Sequence, residues 1–200
     1  MTVQARTRLT PEDRRAQLVA LGVASLAERP IEELTIELLS EQASVSRALL
    51  FHYFGSKQGL HHEVVLTARE SMLRATEPVA DLAPIERLRD TLSRLVDFVR
   101  DHRGTFYSLV RGTASGGAEV RRAIDEARVV HADRAIAVFV ELGVVDSPLL
   151  RLALRSWVAL AEEALVAVAL DEGMSQPELV EFLVRSAEAV VAAVPSHAPR

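Results

Sequence analysis

Cysteine is absent from this chain, lysine occurs once, and aromatic residues make up only 4% of its 200 positions. Without cysteine there is no disulfide, no thiolate nucleophile and no Cys-ligated metal, so any enzyme chemistry would fall to Ser, His or carboxylates. Long apolar runs are missing too. No stretch approaches about 18 uninterrupted apolar residues, and the opening MTVQARTRLTPEDRR has charge without the apolar run of a signal peptide. A cytoplasmic location is expected. The sequence also lacks a phosphate-cradling glycine loop, a dinucleotide fingerprint and a nucleophile elbow; Gly116-Gly117 reads as a helix break. His61, His62 and Glu63 are sequence neighbours, about 100° apart around a helix, and do not make the i, i+4 pair of a helical zinc site. We therefore expect no catalytic residue, no metal and no cofactor.

What is present is apolar and helical. Apolar residues make up 49% of the chain, enough for a real core. The net charge is −5, which speaks weakly against nucleic acid as a partner, yet the excess of acid lies beyond residue 60. The first 60 residues carry seven basic and seven acidic side chains, with Arg6, Arg8, Arg14 and Arg15 at their leading edge.

Apolar positions recur at three- and four-residue spacing from end to end and strand-type alternation is nearly absent, which predicts an all-α protein of about nine helices. Thr10, Pro11, Glu12 and Asp13 open the first helix, and Pro30 is expected to stop it. Thr35, Ser46 and Ser56 read as caps of the next three, the last running to about Thr76. Further helices are expected from about Pro84 to Arg103, over Thr105–Thr113, after a break at 115–117, over 149–170, and from the Ser175/Glu178 capping box onward. The 149–170 helix is apolar nearly all round, and small residues line the helix after it. Trp157, Ala161, Leu165, Leu183, Ala187, Val190 and Val194 form a stripe that packs either inside the chain or, as we expect, against a second copy.

The segment SRALLFHYFGSK, residues 46–57, holds three of the nine aromatics and the lone lysine, Lys57. Together with what precedes it, T35-I-E-L-L-S-E-Q-A-S-V-S46-R-A-L-L-F-H-Y-F-G-S-K57-Q-G-L60, it resembles the helix-turn-helix segment of the TetR family of bacterial repressors. The resemblance spans roughly residues 12–65. It departs from the family pattern at Pro30, Ser40, Ser44 and Phe51, where glycine, alanine, glycine and tyrosine are usual. Ser44 stands where a turn would call for a positive φ. Helical position places Leu50 and Phe54, with Val45 beside them, toward a core, and Arg47, Ala48, Phe51, His52 and the Tyr53 hydroxyl on the opposite face. Arg47 suits a guanine edge or a phosphate. Lys57 at a helix start suits a phosphate, and Thr35 and Ser46 are caps at the same edge.

The resemblance implies a head over 1–55, a linking helix over about 56–77, and a ligand-binding and dimerisation domain over 56–200. It further implies a homodimeric repressor of a palindromic operator, released by a small effector, here expected to be hydrophobic. Phe98, His102, Phe106, Tyr107, Arg111, Arg128, His131 and Trp157 are the candidate pocket residues, because large and polar side chains stand there amid apolar stretches. An all-α protein-interaction adaptor with a degenerate head, or a small hydrolase assembled from dispersed Ser, His and Asp, are the other readings.

Overall fold

A computed structural model describes residues 10–111, 118–169 and 173–195, without the side chains of Ser108, Leu109 and Arg111. Arg6, Arg8 and the expected break at 115–117 lie outside the described residues. Among the described residues the chain forms nine α-helices and one 3-10 turn, and no strand.

Helix α1, Pro11–Ser25, starts as its capping residues dictate: the Thr10 hydroxyl accepts from the Asp13 amide at 3.1 Å. It ends five residues before Pro30, because the chain turns there to bury Leu26 completely. A 3-10 turn, Ile31–Glu33, leads to α2, Ile36–Ala43, capped by Thr35, and α3, Arg47–Phe54, capped by Ser46. Helix α4, Lys57–Ala75, is capped by Ser56.

Leu18, Leu26, Leu34, Leu39, Leu50 and Phe54 close into one buried cluster, which also takes Leu60, Val64 and Val65 from the first half of α4. Each fully buried leucine contributes about 1.5–3 kcal/mol. Gly22 makes the close α1–α4 approach possible, since a Cβ there would stand 2.6 Å from the Val64 Cγ2.

The remaining helices are α5, Pro84–Asp101, α6, Arg103–Arg111, α7, Ala118–Glu141, α8, Pro148–Ala169, and α9, Gln176–Ala192. Only His102 separates α5 from α6, so the break falls two residues earlier than the sequence spacing suggests. A second buried cluster joins α5, α6, α7, α8 and α9. The start of α7 leaves it and contributes Val120, Ala123 and Ile124 to the first cluster. The two clusters are thus bridged by α4 and α7.

Most of the stripe expected to pair with a second copy lies inside this second cluster. Trp157, Ala161, Leu165, Leu183 and Ala187 are buried within their own chain, and Val190 and Val194 pack half-buried against the same cluster. The Trp157 indole N–H donates to the Ser186 hydroxyl at 2.9 Å, so the bulkiest residue of α8 turns toward α9 rather than outward. Its orientation decides which face of an almost uniformly apolar helix goes inside. The apolar side chains left in solvent are others: Leu149, Leu152 (61% exposed), Leu160 and, on α9, Phe182 (53%).

Candidate nucleic-acid interface and cavity

The α2–α3 turn is built without glycine. Ser44 adopts φ +52° and ψ +45° at the end of α2, donates its amide to Glu41 O, and is followed by a Val45 amide that donates to Ser40 O. This is the paired bonding of a Schellman ending, formed here by an L-residue that pays for the left-handed conformation in strain. Ser40 offsets part of it, because its hydroxyl donates to Val45 O at 2.6 Å and ties the turn from the other side. Two of the departures from the family pattern, Ser40 and Ser44, are therefore adjacent parts of one turn.

That turn sets the face of α3. Leu50 and Phe54 are buried, Tyr53 is half-buried against the same cluster, and Arg47, Ala48, Phe51 and His52 are exposed. Phe51 exposes 49% of its surface, a high value for a phenylalanine. Arg47 lies 3.5 Å from Glu37 on α2, with both side chains mostly in solvent, an ion pair weak enough to be exchanged for a phosphate or base. Thr35 and Ser46 spend their hydroxyls on Leu38 N and Leu49 N at 3.1 and 3.2 Å.

Lys57 is placed differently from a free surface cation. Its ammonium donates to Glu32 O at 2.5 Å, fastening the start of α4 to the 3-10 turn. One turn later His61 Nε2 stands 2.7 Å from Leu34 O. Burial lowers the His61 pKa below its usual value, against the pull of that carbonyl, so the ring is neutral at pH 7 and donates through Nε2–H. These two bonds, invisible to periodicity, lock the N-terminal end of α4 to the head.

The C-terminal end of α4 is held as firmly by two arginines. Arg134 of α7 donates to Leu73 O, Thr76 O and Thr76 Oγ1 at 3.0–3.2 Å, and Arg94 of α5 donates to Ala75 O and Glu77 O at 2.9 and 2.6 Å. Cations at the last carbonyls of a helix both satisfy orphan acceptors and complement the dipole.

A cavity opens beside this joint, between α4, α5, α7 and α8. It is a narrow slot with about 700 Å³ of unfilled space counting its mouth. Of the residues expected to line a pocket, Phe106, His131 and Trp157 do so. The others stand elsewhere. Phe98 and His102 stack on each other with centroids 4.3 Å apart, and Tyr107 is exposed. Arg128 is tied to Glu162 and Asp125, and the side chain of Arg111 lies outside the described residues. Sequence reasoning missed Arg87, Thr91, Arg134 and Glu162, polar residues that reach the slot from three helices, and the leucines Leu88, Leu92 and Leu95. The i, i+3, i+4 and i+7 spacing of Leu88, Thr91, Leu92 and Leu95 marked an inward face, but nothing in it told cavity from core.

Polar groups in the slot are mostly paired. Arg87 meets both Glu141 oxygens at 2.9–3.1 Å, and Glu162 accepts from Arg128 Nε at 2.9–3.0 Å. His131 has an Nε2 with no hydrogen-bond partner. Its burial, reinforced by the charge of Arg134, pushes its pKa from 6.5 down to about 4, so it too is neutral at pH 7. Among the described residues no three His, Asp or Glu converge as a metal set, and no helix is long and apolar enough to cross a membrane.

Comparison with known proteins accounts for both halves. Residues 84–190 match the family described as tetracyclin repressor-like, C-terminal domain, and residues 18–64 match bacterial regulatory proteins, tetR family. A TetR-family transcriptional regulator from Streptomyces coelicolor superposes with a TM-score of 0.79 at 27% identity, covering 92% of this chain and 82% of that one. A transcriptional regulator from Pseudomonas aeruginosa PAO1, 18% identical, shares the fold with a TM-score of 0.74 over 93% of this chain and 94% of its own. The uncharacterized HTH-type transcriptional regulator YxbF of Bacillus subtilis is 28% identical over 99 residues, 48% of this chain. This chain spans only 26% of that relative's length. Members of the matched family are DNA-binding regulators rather than enzymes, and they typically dimerise and respond to small molecules. With a helix-turn-helix head, a helical body and family matches to both, this chain belongs to the TetR family of bacterial transcriptional regulators.

Proposed function

We propose that this regulator is a repressor that grips a palindromic operator as a homodimer and lets go when a small, largely apolar effector enters the slot between α4, α5, α7 and α8. The head, residues 1–55, would present α3 to a major groove, with Arg47, Ala48, Phe51 and His52 at base edges and Thr35, Ser46, Tyr53 and Lys57 along the phosphates. The body, residues 56–200, would hold the effector and the second copy. Its exposed apolar side chains on α8 and α9, Leu152, Leu160 and Phe182, suit that second copy better than the stripe already consumed by the chain's own core.

One observation carries the reading. Helix α4 is bonded to the head at one end through Lys57 and His61, and at the other it forms part of the slot's wall through Met72. A ligand that favours a tilted α4 would then change the spacing of two heads, provided it binds that state better than the DNA-competent one. Selection of bound duplexes from a random pool tests it. Enrichment of a two-fold symmetric site, with half-sites about one helical turn or a multiple apart, is expected; failure to enrich any such site refutes the repressor reading.

A further inference from the structure

The polar groups of the slot are not equivalent once their partners are counted. Arg87 is neutralised by Glu141 and Glu162 by Arg128. Arg134 makes no ion pair among the described residues. Its bonds go to neutral oxygens, two from Thr76 and one from Leu73, and its Nε–H makes none. Burial and the nearby charge of Arg94 hold its pKa below the usual arginine range, against the opposing pull of Glu77. Glu77 pulls on it only from a distance, and no carboxylate among the described residues stands within ion-pair reach of this guanidinium, whereas the other charges of the wall are paired. His131, one turn earlier on α7, contributes a neutral ring with a free Nε2.

We infer, on the reading that the slot holds an effector, that this effector is an amphipathic organic anion whose carboxylate pairs with Arg134 while its hydrocarbon tail lies along Leu88, Leu92, Leu95, Phe106 and Leu165, and that this pairing loosens the C-terminal end of α4. The planar fork of arginine matches a carboxylate in two parallel bonds, and a charge-assisted bond is about twice as strong as a neutral one. A carboxylate reaching the guanidinium therefore competes well against the carbonyls of Leu73 and Thr76. Those carbonyls lose their arginine, and the end of α4 keeps only the clasp of Arg94 on Ala75 O and Glu77 O. The same side chain then reads the ligand's charge and holds the helix that carries the head.

Trp157 is the chain's single tryptophan and lines the slot, so its emission reports occupancy without DNA. The full chain is titrated with decanoate, 1-decanol and decylamine, three probes of one tail and different heads. Decanoate should bind about tenfold or more tighter than 1-decanol, as one charge-assisted pair implies, and decylamine should bind weakest. Arg134→Gln should reduce decanoate to the level of 1-decanol and leave 1-decanol unchanged. Arg134→Lys, which keeps charge without the fork, should retain part of the preference, and it replaces the glutamine variant if that one loses its helical signal. Amide exchange over residues 73–77 should quicken with decanoate and not with 1-decanol.

Equal binding of decanoate and 1-decanol, tighter binding of decylamine, no binding of any probe, or an undiminished preference in Arg134→Gln overturns the anion assignment. Decanoate binding with unchanged exchange over 73–77 overturns the link to α4. Operator release is read separately: decanoate bound without release refutes the released-repressor reading and leaves the anion site standing.

Discussion

At Ser44 the chain holds an L-residue at φ +52°, and Ser40 braces the same turn with a hydroxyl bond to Val45 O. Replacing Ser44 by glycine removes the left-handed strain but gives the unfolded chain more freedom, so a net gain of up to about 1 kcal/mol is expected. Ser40→Ala should lose a similar amount. Urea unfolding of the two variants measures both, and a destabilised Ser44→Gly would mean that the added freedom of the unfolded chain outweighs the relieved strain. Lys57 fastens α4 to the head, and the proposed function adds a phosphate contact. Lys57→Ala should lower the salt slope of DNA binding by about one unit, alike for all duplexes, and should also cost stability, since the bond to Glu32 O goes with it. Arg47→Ala or His52→Ala should relax discrimination at particular base pairs by roughly 1–3 kcal/mol without changing the fold. Sequence preference that survives both substitutions would place the reading face elsewhere.

Among the elements, α4 is decisive, and so is a close approach between α6 and the end of α1. A Cβ on Gly104 would lie 2.0 Å from Ala27 O, so only glycine lets α6 rest against the backbone that follows α1. Gly104→Ala must push the two apart and should cost about 1–3 kcal/mol, the usual range for overpacking. Thermal unfolding reads this directly; an unchanged midpoint would mean that the contact carries no load. On α8, helical spacing alone named a stripe without naming its partner. Trp157 chose the inward face by finding Ser186, and the outward face was left to Leu152 and Leu160. On the proposed dimer, Leu152→Glu combined with Phe182→Glu should give a monomer with full helical content, as sedimentation would report. The pair Trp157→Ala and Ala187→Glu should instead unfold the body.

For the whole molecule, the buried His131 gives stability a pH dependence with a definite sign. Its folded pKa, about 4, lies below the unfolded value of 6.5, so the unfolded chain takes up the proton first as pH falls. Stability is full above pH 6.5 and is lost between 6.5 and 4, by at most on the order of 3 kcal/mol from this one group. Arg87, Arg134 and Glu162 border the same slot, and if His131 is the source the loss should largely vanish in His131→Gln. Unfolding midpoints at pH 7, 5.5 and 4 for both proteins check it, and a parallel decline would assign the effect to other groups.

The sequence by itself determined the helices and the head. Caps at Thr10, Thr35, Ser46, Ser56 and Ser175 and apolar periodicity are local, and short-range hydrogen bonds with one-sided burial are enough to enforce them. Only the tertiary structure decided which apolar face of α8 is covered, that Lys57 and His61 fasten α4 to the head, and that Arg134 stands at both the slot and the end of α4. Those choices depend on partners 25 to 61 residues away in the chain. Charge pairing across such separations leaves no periodic trace. The same arginine could be a solvated surface charge or a cavity-wall charge bonded only to neutral oxygens, and the difference lies entirely in what folds against it.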